Sequence, residues 1–324
     1  MRQDVVMSEP LLTIIIPHYN GAHHLPICFN ALRRQTYPHL EIILADNGST
    51  DESLPLTRRE FPEVKVLEFG DNLGYTGAIN RGVAQASGQI IVPLNNDTEV
   101  APGWAEAIVE ALAAYPEAGI VASKILLFDQ RHKLHSAGDA FGADGIPINR
   151  GVWQDDHGQF DQDTYIFGGC GGAVAYRRAM LDEIGLFDED LFMYLEDVDL
   201  NWRAQLAGYR VVFAPQAVVY HQLSATGGGV IASYYTGRNT ILVLAKDLPG
   251  FLFRRYWRPI IQAQLKIAFE AARAWRGEAA RARLKGQLAG LWALPRWLAK
   301  RAAVKRSPQV SNTYLESLLT DVNL

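Results

Sequence analysis

Short apolar runs rich in β-branched residues alternate with segments of helical periodicity through the first 115 positions of the chain. The apolar runs are Leu12–Ile16, Ile42–Ala45, Val64–Leu67 and Ile90–Leu94. Residues 23–35, 77–87 and 102–115 instead place apolar side chains on one face of a predicted helix. Because strands that alternate with helices form βαβ units, the pattern predicts an α/β fold with a mostly parallel sheet.

Polar residues follow three of these runs at the point where each predicted strand ends. The polar segments are His18-Tyr19-Asn20-Gly21, Asp46-Asn47-Gly48-Ser49-Thr50-Asp51 and Asn95-Asn96-Asp97-Thr98. Ligands of open α/β sheets bind beyond the carboxyl ends of the strands, so the sequence predicts one binding site at this edge. The alternative is that Asn, Asp, Gly and Ser form ordinary turns there.

Composition and short motifs exclude several other classes of protein. With 48% hydrophobic residues over 324 positions, the chain is too apolar to be intrinsically disordered. Two cysteines are too few for a disulfide framework, and we expect both to be reduced. The sequence contains no GxxxxGK[ST] loop, no GxGxxG after the first strand and no GxSxG elbow, which excludes the nucleotide and hydrolase sites that these motifs build.

Charge is distributed unevenly along the chain. Residues 250–306 carry fourteen Lys and Arg against two Glu, a net of +12, so the remaining residues hold −16 of the total of −4. Four tryptophans interleave with these cations: Trp257, Trp275, Trp292 and Trp297. A basic helical segment with tryptophans favours an anionic membrane surface, and packing within the molecule is equally open. The acidic remainder argues against nucleic acid as a partner.

Nothing in the sequence predicts a membrane-spanning or secreted chain. No run of about 20 apolar residues occurs, so we expect no transmembrane helix. Residues 1–10 lack the apolar stretch of a signal peptide and are expected to form a flexible leader. The expected location is therefore the cytoplasm, with peripheral attachment to the cytosolic face of the inner membrane as a further possibility.

Three groups of ionisable residues are candidates for chemistry. Asp97, at a strand end, either holds a divalent cation against a diphosphate or forms an Asx turn. Glu196 and Asp197 lie beside aromatic residues, where a carboxylate can deprotonate a hydroxyl group, although a helix N-terminus also favours acids. His221 is either a structural histidine or a nitrogen ligand of that cation, and a mixed His and carboxylate set favours Mn²⁺.

Taken in order along the chain, these segments resemble glycosyltransferase family 2, the inverting enzymes of the GT-A fold. The similarity covers roughly residues 11–240. The segments that carry it are TIIIPHYN at 13–20, EIILADNGSTD at 41–51, NLGY with NRG at 72–82, LNND at 94–97, GLFDE through YLEDVDL at 185–200 and VYH at 219–221. The ADNGSTD stretch and the Gly/Asp-rich middle are similar to the rhamnosyltransferase-like branch.

The resemblance implies a domain organisation. After the leader, residues 11–235 would form a GT-A catalytic domain with a Rossmann-like, mostly parallel sheet flanked by helices. Residues 11–100 would be its nucleotide-sugar half and residues 101–235 its acceptor half. Residues 236–324 would form a basic, amphipathic helical extension.

The resemblance also implies roles for individual residues. Asp197 would be the general base, with Glu196 beside it positioning hydroxyl groups. Asp97 and His221 would bind a divalent cation, Mn²⁺ or Mg²⁺. Within the nucleotide site, Asp46 would accept a hydrogen bond from a pyrimidine base. The residues that would frame the nucleotide are Pro17, Tyr19, Asn20, Asp46, Asn72, Gly74, Asn80, Asn95 and Asn96.

The expected activity follows from these roles. A sugar would pass from a nucleotide-diphosphate donor, a dTDP- or UDP-sugar such as dTDP-rhamnose, to a hydroxyl group of a glycan or lipid-linked acceptor in cell-surface polysaccharide synthesis. Asn95 stands where the family has the first Asp of its DxD motif, so fewer protein charges would hold the cation. The alternatives are a non-catalytic nucleotide-sugar-binding homologue and, less favoured, a nucleotidyltransferase.

Overall fold

The four apolar runs at the start of the sequence form the parallel half of one large sheet. The strands are β1 Leu12–His18, β2 Leu40–Asp46, β3 Lys65–Glu68 and β4 Ile90–Pro93. Their spatial order is β3-β2-β1-β4 with parallel pairing throughout. His18 pairs with Asp46 in this register, so the polar residues after each strand meet at one edge. The computed structural model describes residues 9–222 and 229–321; most of the predicted leader lies outside them.

Four helices follow these strands: three lie where the periodicity predicts, with ends shifted by one to three residues, and α2 was not predicted. They are α1 Leu25–Arg33, α2 Ser53–Glu60, α3 Gly74–Gln85 and, after a short strand β5 at Thr98–Val100, α4 Trp104–Ala114. The helix predicted from residue 77 begins three residues earlier, at Gly74. The reason is local, because the side-chain oxygen of Asn72 accepts a hydrogen bond of 2.9 Å from the Gly74 N–H and starts the first turn.

The second half of the chain extends the sheet. Its further strands and helices are β6 Ala118–Leu127, β7 Leu134–Ala137, β8 Asp139–Gly142, β9 Pro147–Asn149, β10 Tyr165–Ile166, β11 Val174–Arg177, α5 Arg178–Ile184, α6 Glu196–Ala207 and β12 Arg210–His221. Strand β11 runs antiparallel between β4 and β6, and β12 runs parallel to β6. Strands β8 and β9 belong to a separate small sheet. The predicted α/β fold with a central, mostly parallel sheet is confirmed.

The basic C-terminal segment folds as long helices packed onto the body of the protein. The elements are α7 Gly229–Lys246, α8 Gly250–Arg273, α9 Glu278–Lys300, a 3-10 helix Arg301–Ala303, α10 Asn312–Ser317 and β13 Leu319–Thr320. Helices α7 and α9 touch closely, since a Cβ atom at Gly286 would lie 2.1 Å from the carbonyl oxygen of Tyr234. Residue 235, where the catalytic domain was predicted to end, lies inside α7.

The tryptophans of this segment show that it packs internally and also exposes apolar surface. Trp297 is 2% exposed and joins a core that contains Trp202 of α6, whereas Trp292 is 89% exposed. Lys300 forms ion pairs of 2.5 Å with Asp188 and 2.6 Å with Asp190, so part of the basic charge is used within the molecule. Among the described helices, none combines the length and apolar character needed to cross a bilayer.

Candidate active site at the carboxyl edge of the sheet

A buried histidine joins the three loops that follow β1, β2 and β4. His18 Nε2 lies 2.7 Å from the Ser53 hydroxyl, and its Nδ1 lies 2.7 Å from the Asn96 side-chain nitrogen. Burial lowers the pKa of His18 to about 4, so the ring is neutral at ordinary pH. The side chain of Asn96, predicted to frame the nucleotide, is directed to this histidine and is buried.

Asp46 is the last residue of β2, and only one of its two carboxylate oxygens accepts hydrogen bonds from the described residues. Its Oδ2 accepts hydrogen bonds from the N–H groups of Gly48 at 3.1 Å and Ser49 at 2.9 Å. Its Oδ1 is buried and accepts no hydrogen bond from any described residue. Buried acceptors are normally paired, so this oxygen is available to a donor group of a bound molecule.

The loop after β1 forms a rim beside Asp46. Pro17 pairs with Ala45 in the sheet, and Tyr19 is 51% exposed at the surface. Asn20 has a φ of 55° and is held from two sides, because its N–H donates to the Ser49 hydroxyl at 2.9 Å and its side-chain oxygen accepts from Thr50 N–H at 2.9 Å. The residues predicted on this loop therefore lie together at the sheet edge.

Helix α3 is fastened to the same edge by asparagines. Asn47, which follows β2, donates to the carbonyl oxygen of Gly74 at 3.1 Å, next to the Asn72 cap. Asn80 lies further along α3, where its amide donates to Phe187 O at 2.9 Å and accepts from Phe187 N–H at 3.2 Å. Asn80 thus holds α3 to the segment before α6, and a contact between Asn80 and a nucleotide stays a prediction.

Donor atoms suited to a cation meet where β4 and β12 end. Antiparallel pairing of β12 with β5 sets His221 opposite Thr98, so His221 Nε2 lies 3.1 Å from Asp97 Oδ1. That carboxylate oxygen is buried and accepts no hydrogen bond from any described residue. The amide nitrogen of Asn95 lies 3.4 Å from the same His221 atom. A carboxylate oxygen, an imidazole nitrogen and an amide at this spacing fit a divalent cation.

Glu196 and Asp197 begin α6 and face this site. Asp197 Oδ2 accepts a hydrogen bond of 2.7 Å from the Gly171 N–H, and Oδ1 accepts one of 2.8 Å from the Val198 N–H. Burial raises the pKa of Asp197, although these two hydrogen bonds oppose the rise. Burial and the neighbouring Asp197 raise the pKa of Glu196 well above its usual range. A carboxylate with a raised pKa is suited to accept a proton near neutral pH.

Two adjacent glycines join the cation-binding residues to these acids. Gly171 N–H donates to Asp197, while the carbonyl oxygen of Gly172 accepts from the Asn95 N–H at 3.0 Å. A Cβ atom at Gly171 would lie 3.1 Å from the carboxylate oxygen of Asp197, so the backbone approaches this acid very closely. The sheet edge thus brings together the free carboxylate oxygen of Asp46, the Asp97–His221 pair and the buried acids Glu196 and Asp197.

Comparison with known proteins identifies the family. The family model for Glycosyl transferase family 2 matches residues 13–185. The chain belongs to glycosyltransferase family 2. This glycosyltransferase is 27% identical over 282 residues to the N-acetylglucosaminyl-diphospho-decaprenol L-rhamnosyltransferase of Mycobacterium tuberculosis, a match that covers 79% of this chain and 89% of that relative. The predicted resemblance to the rhamnosyltransferase-like branch is confirmed.

Solved structures of glycosyltransferases confirm the GT-A fold. S. aureus TarS 1-349 in complex with UDP-GlcNAc matches with a TM-score of 0.57 and 17% identity, over 95% of this chain and 84% of that one. The mannosyltransferase PcManGT from Pyrobaculum calidifontis, in complex with GDP-Man and Mn²⁺, matches with a TM-score of 0.51 and 19% identity, over 96% and 84%. At these identities the matches show the fold alone.

The structure adds two residues of this family 2 glycosyltransferase that the sequence did not single out. His135 of β7 lies with its Nδ1 3.0 Å from His221 Nδ1 and so orients the His221 ring. Asp139 of β8 is buried, and its carboxylate, the Cys170 thiol and the Asp197 carboxylate lie within 4.8 Å of one another. Burial and Asp197 raise the pKa of Asp139 well above its usual range. His135 reaches the site because β7 pairs with β6, which in turn pairs with β12, and Asp139 does so through its bridge to Gly168. No local motif reveals either placement.

The loop before α6 is held in an unusual conformation by α7. Three non-glycine residues there have positive φ: Phe192 at 66°, Tyr194 at 64° and Leu195 at 65°. The fully buried amide of Asn239 donates to the carbonyl oxygens of residues 191, 193 and 194 at 3.1, 2.9 and 2.7 Å. The Phe192 ring also stacks on Tyr235, at 5.3 Å between centroids. Helix α7 therefore sets the position at which Glu196 and Asp197 enter the glycosyltransferase site.

Proposed function

We propose that this glycosyltransferase moves a sugar from a nucleotide-diphosphate donor to a hydroxyl group of a lipid-linked glycan acceptor, with inversion at the anomeric carbon. The observation that carries the proposal is the link through Gly171 and Gly172, which binds Asp197 and Asn95 to adjacent peptide groups. In a single displacement, the base would act on the attacking hydroxyl group and the cation-binding pair on the leaving diphosphate, so the two must lie close together.

The donor is proposed to be a dTDP- or UDP-sugar, with dTDP-rhamnose as the first candidate. The free Oδ1 of Asp46 is matched by the ring N–H of a pyrimidine base, which is a hydrogen-bond donor. The M. tuberculosis relative is named an L-rhamnosyltransferase, and its name also specifies a diphospho-decaprenol acceptor. These features support a deoxysugar donor and a prenyl diphosphate-linked acceptor in cell-surface polysaccharide synthesis.

The chemistry assigned to this chain's residues is one proton transfer and one displacement. Asp197 accepts the proton of the acceptor hydroxyl, and that oxygen attacks the anomeric carbon on the face opposite the nucleotide. The bond from the anomeric carbon to the diphosphate oxygen breaks, and the nucleoside diphosphate leaves with the electron pair. A single displacement inverts the configuration, in contrast to the two displacements of a retaining enzyme.

Asp97 and His221 are proposed to hold a divalent cation, Mn²⁺ or Mg²⁺. When bound, such a cation neutralises negative charge on the diphosphate leaving group. Asn95 supplies an amide where the family motif has an Asp, so one carboxylate is present at the pair instead of two. The diphosphate itself is then expected to contribute more of the negative charge around the cation.

Helices α8 and α9 are proposed to bind the cytosolic face of an anionic membrane peripherally. Large apolar side chains are exposed on them, including Leu265 at 64%, Phe269 at 63%, Leu288 at 67% and Trp292 at 89%. Exposed cations such as Lys266 lie among them. Apolar side chains interleaved with Lys and Arg are typical of interfacial helices. Flotation with phosphatidylglycerol vesicles tests this, and salt-independent or absent binding contradicts it.

A transfer assay tests the proposed function. The protein is incubated with sugar nucleotides of UDP, dTDP and GDP and with a prenyl diphosphate-linked N-acetylglucosamine acceptor, and the glycolipid product is quantified. We expect transfer from one pyrimidine donor, reduced by about 10²-fold or more in Asp197→Asn. Asp182→Asn, the same change on the exposed surface of α5, is the matched control. Full activity of Asp197→Asn contradicts the proposed base.

A further inference from the structure

A groove between α7 and α9 has no role in the site described above. It has a volume of about 490 Å³. It is lined by Val230, Ile231, Tyr234, Tyr235, Glu278, Arg281, Ala282 and Lys285. One wall comes from the start of α7 and the other from the first two turns of α9. The groove therefore lies where the C-terminal helices meet the catalytic body.

The groove adjoins the loop that carries the catalytic acids. Tyr235, which lines the groove, stacks on Phe192 with 5.3 Å between ring centroids. Phe192 precedes Glu196 by four residues, and its carbonyl oxygen accepts a hydrogen bond of 3.1 Å from Thr76 N–H of α3. Tyr235 and Phe192 thus connect the groove to the loop before α6 and to the start of α3.

The lining combines an apolar edge with positive charge. Val230 is 44% exposed and Ile231 is 52% exposed, so both side chains offer apolar surface along one edge of the groove. Across the groove stand two cations, Arg281 and Lys285, against one carboxylate, Glu278. The hydroxyl groups of the two tyrosines add hydrogen-bond donors.

The cations that line the groove are only partly engaged by the described part of the chain. Arg281 donates to the carbonyl oxygens of Trp275 at 3.0 Å and Arg276 at 2.7 Å, which leaves part of its guanidinium free. Lys285 is exposed and has no ion pair or hydrogen bond with any described residue. Arg283, between them in sequence, is half-buried and likewise has no ion pair among the described residues, and burial lowers its pKa. Among the described residues that line the groove, two cations therefore stand against one carboxylate, that of Glu278.

We propose that the groove between α7 and α9 binds the diphosphate and first isoprene units of a prenyl diphosphate-linked acceptor. Lys285 and Arg281 bind the diphosphate, and Val230 with Ile231 contacts the isoprene chain as it leaves the membrane. The sugar attached to the diphosphate then extends past Tyr235 towards Asp197. This inference rests on the proposed glycosyltransferase function and assigns its acceptor site.

Two acceptors that differ only in the lipid link test this proposal. One carries N-acetylglucosamine on a prenyl diphosphate, and the other is an octyl glycoside of the same sugar, without a diphosphate; both are assayed in detergent so that membrane binding does not contribute. In Lys285→Glu we expect KM for the prenyl diphosphate acceptor to rise about tenfold or more. KM for the octyl glycoside, KM for the donor and the melting temperature should stay at wild-type values.

A matched variant separates the groove from general surface charge. Lys65→Glu makes the same change at an exposed position of strand β3, outside the groove and outside α8 and α9, and should leave KM for both acceptors unchanged. Equal KM values of Lys285→Glu and wild type for the diphosphate acceptor overturn the proposal, as do equal losses in Lys65→Glu and Lys285→Glu. Failure of the proposed function is distinct, because wild-type protein would then transfer no sugar to either acceptor.

Discussion

Replacement of Asn239 by Ala should damage catalysis through the loop before α6 rather than through any substrate contact. The amide of Asn239 is fully buried on α7 and donates to three carbonyl oxygens of that loop. Its own side-chain oxygen accepts a hydrogen bond of 2.9 Å from Arg238. The substitution removes every one of these contacts, while the carbonyl oxygen of Leu191 keeps its hydrogen bonds from Met193 N–H at 2.8 Å and from Arg238 at 3.3 Å.

The expected size of the effect follows from the number of bonds. An amide nitrogen has two hydrogens, and each hydrogen bond left unmade costs about 1–3 kcal/mol, so the free energy of unfolding should fall by about 2–6 kcal/mol. The loop also contains three non-glycine residues with positive φ, each about 1–3 kcal/mol above a relaxed conformation. Without the hydrogen bonds from Asn239 the loop can relax, and a shift of Asp197 by about 1 Å would lower kcat about 10²-fold.

Steady-state kinetics and thermal unfolding measure the two effects separately. Thr240→Val is the matched control, because it removes a buried hydrogen bond of 2.7 Å to Thr236 O within α7 without touching the loop. Asn239→Ser keeps one hydrogen-bond donor, so its kcat and melting temperature should lie between those of wild type and Asn239→Ala. We expect kcat to fall in the Asn239 variants and stay near wild type in Thr240→Val, with KM for the donor little changed. If Asn239→Ala is destabilised but keeps its kcat, the position of Asp197 does not depend on the hydrogen bonds from Asn239.

Two further predictions concern pH. Because burial raises the pKa of Asp197 above 3.8 and the base must be ionised, activity should fall with decreasing pH through a pKa above that value, and a pH–rate profile that stays flat to about pH 4 would contradict this. Burial lowers the pKa of His18 from 6.5 to about 4 in the folded protein. As the pH falls, this histidine is therefore protonated in the unfolded chain before it is protonated in the folded one. The free energy of unfolding should therefore drop by about 3 kcal/mol from pH 7 to pH 4 through this group. Denaturant unfolding of His18→Gln at pH 7 and pH 4 should show a free energy of unfolding that falls by about 3 kcal/mol less than in wild type. An identical fall in the variant and wild type would refute the lowered pKa of His18.

The parallel half of the sheet was predictable because its signals are local. β-Branched runs mark β1, β2 and β4, and the polar residues at their ends meet once parallel pairing is assumed. Helix α2, with the sequence SLPLTRRE, has little apolar character and gave no such signal. The start of α3 was displaced because a single side chain, Asn72, caps it earlier than the apolar stripe begins.

The contacts that complete the site join residues far apart in sequence. The approach of His221 to Asp97 depends on antiparallel pairing of β12 with β5; the residue types alone left a structural histidine as the alternative, and the family resemblance favoured the ligand. His135, Asp139 and Asn239 lie in segments without a motif, and their roles arise from strand pairing and helix packing. The composition of the C-terminal segment left open whether it packs within the molecule or contacts a membrane, and no motif indicated that α7 would hold the loop before α6.

The measurement that tests the central claim most directly is thermal unfolding with UDP, dTDP and GDP, each with and without Mn²⁺. The proposed site predicts that one pyrimidine diphosphate with Mn²⁺ stabilises the protein by about 2.7 kcal/mol at a hundred times its Kd. Asp97→Ala should lose the cation-dependent part, and Asp129→Ala, an exposed control, should retain it. Absence of stabilisation by every nucleotide, or equal cation-dependent stabilisation of Asp97→Ala, would contradict a nucleotide-sugar site at this edge of the sheet.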